Sequence, residues 1–439
     1  MNLGKKIICV LSVVVFCLTT LSFAGCNEIE PSEPVYVPVF STATVIGSFT
    51  GTDDDAKNNT PGRFQVAGTD LGISVNIYGE EPKTLLLFGD TFATDLPNES
   101  DSNKNWRSGV IGLSTDYDLS DNLSIDSFWG EEGFKDNACA KSPLYSIHNT
   151  NKGETTKIYT GGIEIDGSIY LFYVSRRSVS KENRPDSNNY SGVIKSTDGG
   201  ITWQRVWNLT WVDHVEGTCH PVYGTNKDGV GAGTSAEKLK LLINEDIDGT
   251  ITDNIKIEEH QGYHFTQIYP VDGNDGYIYI FGRGGYRTTG LQLGRVRREN
   301  FEDFNAYEYL EGYDGQGNSV WSDNIDYACY IVEDALSNMS IVYNKFAKRW
   351  VMSYLDCSNG SGVPLVIRYS ESIDKGFTQK VALLPNSGDT SSLYGGYLND
   401  LWVENDGETY YFVFSRWSNN LGIYRSYVAK ATVSFKEVK

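Results

Sequence analysis

The sequence predicts an all-β protein, and within that class a five-bladed β-propeller. Three observations carry this. Aromatic residues make up 13% of the 439-residue chain, with 28 tyrosines and 45 glycines, which suits many short strands joined by tight turns. Short runs of apolar–polar alternation recur throughout, and long helical periodicities are scarce. A single three-strand unit then repeats five times along the chain.

The second strand of each unit is the easiest to see. TLLLFGDTF (84–92) has counterparts in SIYLFYVSRR (168–177), YIYIFGRGGYR (277–287), RWVMSYLD (349–356) and TYYFVFSRW (409–417). Each follows a partner strand and a turn; Asp166-Gly167, Asp272-Gly273 and Asp406-Gly407 favour the positive φ angles of tight hairpins. Each is followed by a third strand: SGVIGLSTD, SGVIKSTDGG, LQLGRVRREN, PLVIRYSES and GIYRSYVAKAT. One such sheet leaves a face uncovered, whereas stacking five about an axis buries both faces of all. The stretch ATVIGSF (43–49) is expected to add the outer strand of the last blade and close the ring. Two stacked sandwiches are the alternative architecture.

The termini set the boundaries. Residues 1–26 read as a lipoprotein-type signal peptide: two lysines, an apolar run, then Phe23-Ala24-Gly25-Cys26, with Cys26 the lipidation site. Plain secretion is the alternative. Residues 27–40 read as a flexible tether, and 41–439 as one propeller domain with an insertion near 204–262. The expected location is therefore extracytoplasmic, at a bacterial cell surface, with the membrane reached only through the lipid anchor. A formal charge of −20 repels phosphate backbones, so nucleic acid is excluded as a partner. Cys139, Cys219, Cys329 and Cys357 are widely spaced and form neither a disulfide framework nor a metal site. The chain is expected to be a monomer.

Propeller topology gives the strand tips a meaning. Antiparallel pairing puts the start of a first strand beside the end of the second, so Asp70 and Asp90 are expected side by side at one mouth of the channel. The same rule brings Arg107, Arg176, His264, Arg283, Arg287, Glu333, Asp356, Asn399, Asp400, Arg416 and Trp417 to that rim. Paired carboxylates suit glycoside hydrolysis, one donating a proton to the leaving oxygen and the other acting as base or nucleophile. Asp70 and Asp90 are the catalytic candidates, and Glu333, Asp356 and Asp400 the supporting carboxylates. The arginines, His264, Asn399 and Trp417 are candidates for holding sugar, and Trp106 suits stacking on a sugar face. Each also has a plain structural role open to it, as an ion-pair partner, turn cap or packed ring.

Other motifs say less about chemistry. Ser196-Thr197-Asp198-Gly199-Gly200-Ile201-Thr202-Trp203 reads as an Asp box, a structural turn expected at the rim away from Asp70. Asp246–Gly249 and Asp272–Gly276 resemble calcium loops without the full ligand spacing, so structural calcium stays an option while no metal or other cofactor is required. No P-loop, dinucleotide fingerprint or nucleophile elbow is present.

At GTDLG, FGDTF, WRSGVIGLS, YGGY and FSRW the chain resembles a bacterial family known as domain of unknown function four-one-eight-five. The resemblance covers about residues 45 to 435, and some members are endo-D-arabinanases with a five-bladed propeller fold. It implies that Asp70 and Asp90 carry the family's motif acids and that Arg107 follows in the WRS element. The Gly282–Arg287 element is similar to the family's Gly-Arg-rich stretch without matching it strictly. The reading is thus an exported glycoside hydrolase acting on furanosidic linkages of a polysaccharide, D-arabinan being the substrate the resemblance suggests. A non-catalytic surface lectin is the first alternative and a sialidase-like exoglycosidase the second.

Overall fold

The computed structural model describes residues 35–52, 56–94, 105–135, 138–144, 146, 154–176, 188–212, 265–285, 287–359 and 363–438. The main compact unit spans Pro38–Phe435.

Five sheets form the blades of a propeller. The chain opens with β1 (Val35–Phe40) and β2 (Thr44–Ser48). Blade one holds β3 (Leu71–Ile77), β4 (Lys83–Phe88), β5 (Ile111–Ser114) and β6 (Ser127–Phe128). Blade two holds β7 (Thr156–Ile165), β8 (Ser168–Arg176), β9 (Asn188–Ser196) and β10 (Gln204–Val212). Blade three is larger: β11 (Gln267–Asp272), β12 (Tyr277–Arg283), β13 (Leu291–Arg297), β14 (Glu308–Tyr313), β15 (Ser319–Ser322) and β16 (Tyr330–Val332). Blade four comprises β17 (Leu336–Asn344), β18 (Arg349–Asp356), β19 (Leu365–Ser370) and β20 (Val381–Leu384). Blade five adds β21 (Leu393–Glu404), β22 (Thr409–Ser418) and β23 (Ile423–Val438) to the two opening strands.

The ring closes as expected. β2 pairs antiparallel with β23 through Thr44↔Lys430 and Ser48↔Tyr427, so an early segment completes the last blade. The first strands of successive blades then pack in a circle, β3 on β7, β7 on β11, β11 on β17, β17 on β21 and β21 back on β3. Inner strands are covered on both faces, which is why runs such as Leu85-Leu86-Leu87-Phe88 are apolar without alternation and wholly buried. At the β7–β8 turn, Asp166 (φ 50°) and Gly167 (φ 80°) take the left-handed conformation that a two-residue hairpin requires.

Two boundaries differ from expectation. Val35–Phe40, assigned to the tether, is a strand, and Phe40 is buried against Tyr369 and Tyr410 at ring separations of 5.3 and 6.3 Å. The alternation of Val35, Val37 and Val39 was outweighed in the sequence by Pro31, Pro34 and Pro38. Likewise Gln204–Val212, placed in the insertion, is the fourth strand of blade two, paired with β9. The rest of the insertion and Cys26 lie outside the described residues.

The turn at Ser196–Trp203 is held by Asp198. Its carboxylate accepts from the Ile201 and Thr202 amides at 3.1 and 2.9 Å and from the Thr202 hydroxyl at 2.6 Å. Burial pushes this group up, but its hydrogen bonds from Thr202, Ser196 and Ile201 together prevail and hold it at about 2.

Candidate active site

The mouth of blade one is built from two short segments that run past the ends of β3 and β4. Gly68 and Phe92 form an isolated antiparallel bridge, and the Thr69 and Thr91 hydroxyls meet at 2.8 Å. Continuing that register sets Asp70 opposite Asp90, and opposed residues in a pair point to the same face. A bulge follows at once: the Gly89 amide donates to the Asp70 carbonyl at 3.2 Å, while Leu71 pairs with Phe88 and the register slips before Ile73. Leu71 and Gly72 both take positive φ, 65° and 96°. A buried leucine in that region is strained, and the strain is held by Ser415, whose hydroxyl accepts from the Leu71 amide at 3.1 Å. The bulge packs the Asp70 carboxyl against Gly89, near enough to Asp90 for the two charges to act on each other.

The two acids have different surroundings. Asp70 is only 5% exposed, and its Oδ1 has no hydrogen-bond partner among the described residues. Asp90 is half-buried, and its Oδ1 accepts from the Trp106 indole N–H at 3.1 Å and from the Thr156 hydroxyl at 2.6 Å. Tyr424 stands between them. Its hydroxyl donates to the Asp90 carbonyl at 3.0 Å and also lies in hydrogen-bonding reach of the Asp70 carboxyl. Burial first, then the Asp90 charge, push the Asp70 carboxyl up to about 8; Tyr424, the Arg287 charge and the Gly89 N–H offset part of this. Asp70 is therefore an acid that keeps its proton at neutral pH.

The structure brings only some of the expected residues to this pair. Arg287 acts electrostatically on Asp70, donates to the Tyr394 carbonyl at 2.9 Å and stacks 4.4 Å over the Tyr394 ring. Trp417, 42% exposed, packs edge-on against the same ring at 6.3 Å. Arg176 ends β8 in register with Thr156 and is buried. Arg283 is completely buried and donates to Gln267, to Asn338 at 2.7 Å and to the Gly285 carbonyl at 3.2 Å, which ties blade three to blade four.

Others go elsewhere. Arg107 turns outward to the Gln65 carbonyl at 2.7 Å and the Ala140 carbonyl at 3.4 Å. Arg416 donates to the Ser391 carbonyl at 2.8 Å. Asp356 closes blade four through a 2.6 Å ion pair with Lys380, and Glu333 is exposed beyond β16. Asn399 and Asp400 sit at the opposite end of the channel, bonded to Asn76 near the far end of β3 at 2.9 and 2.6 Å. The physical reason is length: β21 has twelve residues and a second bulge between Leu398 and Val403, so its acidic dipeptide lies well past the mouth. His264 lies outside the described residues. Sequence reasoning missed Thr156, Tyr394, Tyr424 and the Trp106–Asp90 bond. Only the placement of Thr156 and Tyr424 at the mouth ends of their strands hinted at them.

Fold and site together define a five-bladed β-propeller with a buried carboxyl beside a half-buried one in its mouth. The chain belongs to the family described as Domain of unknown function (DUF4185), whose model matches residues 55–430. Among solved structures it is similar to a protein of Bacteroides ovatus, with 13% identity over 84% of this chain and 86% of that one and a TM-score of 0.50. An exo-β-1,3-galactanase of Clostridium thermocellum matches at 10% identity, over 90% and 63% of the two chains, with a TM-score of 0.45. A GH62 α-L-arabinofuranosidase of Coprinopsis cinerea matches at 11% identity, over 90% and 97%, with a TM-score of 0.43. Likeness at this level speaks to the fold alone. No curated protein matches the chain.

Proposed function

We propose that the protein is a glycoside hydrolase that cuts furanosidic linkages of a polysaccharide, with Asp70 as the general acid. The observation that carries this reading is the pairing of a buried carboxyl raised to about 8 with a half-buried carboxylate held by Trp106 and Thr156. Asp70 gives its proton to the leaving glycosidic oxygen as the C–O bond breaks. Asp90 supplies the opposing carboxylate, as base for an attacking water or as nucleophile at the anomeric carbon. Trp417, Tyr394 and Arg287 offer ring faces and a guanidinium on the same rim. The resemblance to endo-D-arabinanases directs the substrate to D-arabinan. Export with a lipid on Cys26 would set the mouth against extracellular polymer.

The test is to incubate the mature protein with arabinogalactan, plant arabinans and fructans and to follow released sugar. Asp70→Asn and Asp90→Asn are each expected to lower the rate by at least about 10³-fold. Proton NMR of the first-formed anomer tells whether Asp90 works as base or nucleophile. Full activity in either variant overturns the assignment, and binding without any product marks a lectin instead.

A further inference from the structure

The end of the channel opposite Asp70 is hollow. A cavity of about 530 Å³ opens there, lined by residues from all five blades. It includes none of the residues around Asp70 and Asp90. The strand β3 separates the two ends, with Asp70 just before its first residue and Asn76 and Tyr78 at its close, a span on the order of 20 Å.

From these groups we infer that this cavity is a second binding site, for a neutral segment of polysaccharide. A sugar ring needs a flat apolar platform for its C–H face and fixed acceptors and donors for its hydroxyls. Both are present. The Tyr343 ring, 40% exposed, is braced edge-on by Trp350 at 5.3 Å, and the Tyr78 ring, 55% exposed, is fixed by its hydroxyl on Asp400 at 3.0 Å. Asn76 and Asn399 exchange amide hydrogen bonds at 2.9 and 3.0 Å, which orients both side chains beside the exposed Asp400 carboxylate. These rings come from blades one and four, so they face the cavity from separate sides.

Other ligand classes fit less well. Arg298, the cation of the lining, is taken up by Asp166 at 3.1 Å and by Asp272, which leaves no free positive charge for an anion. A metal ion lacks its ligands, since no group of three His, Cys, Asp or Glu side chains converges among the described residues. A wholly apolar ligand would cover the exposed Asp400 carboxylate and the amides beside it without adding to the hydrogen bonds they already make with one another, Tyr78, Thr84 and the Leu401 amide. An uncharged polyhydroxylated ring satisfies both the aromatic and the polar groups. With cleavage at one end and holding at the other, the molecule grips polymer at two places.

Affinity electrophoresis in native gels containing arabinogalactan, arabinan or xylan tests this, with Asp70→Asn as the parent so that no polymer is cut. At least one polymer is expected to retard the parent. Tyr343→Ala combined with Asp400→Asn should weaken that retardation about tenfold, whereas Tyr343→Phe, which keeps the ring, should run as the parent. Trp106→Ala with Trp417→Ala, at the mouth, should leave the cavity's share of the retardation in place. The inference fails if no polymer retards the parent, if the Tyr343→Ala and Asp400→Asn pair has no effect, or if Tyr343→Phe is as damaging as Tyr343→Ala. Because turnover is not measured, none of these failures bears on cleavage at the mouth.

Discussion

Gly89 and Asp70 share one space: a Cβ placed on Gly89 would stand 2.1 Å from Asp70 Oδ1. The glycine of the LFGDTF run is thus required by the nearby acid and not by its own backbone angles, which lie outside the left-handed region. Gly89→Ala must push the Asp70 carboxyl aside. The expected outcome is a loss of about 10²-fold in kcat with a stability cost of about 1–3 kcal/mol, read by kinetics and by urea unfolding. An alanine variant with unchanged kcat would show that the Asp70 position does not matter to the reaction.

Stability should depend on pH through Asp70. Unfolded, this carboxyl titrates near 3.8; folded, burial and Asp90 raise it to about 8. Between those values the folded chain holds the extra proton, so the Asp70 contribution to stability falls as pH rises through the window. Asp70→Asn abolishes that fall. Its gain over the parent should be small near pH 4, grow toward pH 8 and level off above, with an upper bound of about 6 kcal/mol. Denaturant midpoints of both proteins between pH 4 and 9 measure it.

Two substitutions should move the Asp70 titration in opposite directions. Asp90→Asn removes a like charge and lowers it; Tyr424→Phe removes a hydrogen bond that favours the carboxylate and raises it. Carbon-13 NMR of labelled aspartate follows both. The Tyr424→Phe variant should also lose about tenfold in kcat, with the basic limb of its pH profile displaced upward. Shifts of the same sign in both variants would contradict the arrangement.

Below the mouth of blade two, Lys157 and Glu154 are wholly buried with their charges 3.5 Å apart, and the Ser175 hydroxyl donates to Glu154 at 2.6 Å. Glu154→Gln removes one charge of this buried pair, which should cost about 3–5 kcal/mol in unfolding free energy. Replacing both residues by a matched apolar pair should cost less, and a double-mutant cycle measures the difference.

The blades were legible because each is a local statement. Leu85–Phe88 or Phe412–Phe414 is apolar on both faces, which only a strand covered on two sides can satisfy. Asp70 and Asp90 were legible for a related reason, since they stand where an apolar run stops. Arg107 and Arg416 looked equivalent to Arg287 in sequence. Their guanidinium groups were claimed instead by the carbonyls of Gln65 and Ser391, on loops that no periodicity describes.

The amino-acid order alone settled the class, the five repeats, the closing strand at Thr44–Ser48 and the pair of acids at one tip, because hydrophobic period and turn residues act over a few neighbours. Only the tertiary structure decided which side chains meet: Tyr424 from the last blade and Thr156 from the second on the Asp90 of the first, and Asp400 at the far end. Bulges and strand lengths set those meetings. A one-residue slip in register changes the face a side chain takes, and such slips are fixed by packing between blades and not by local sequence.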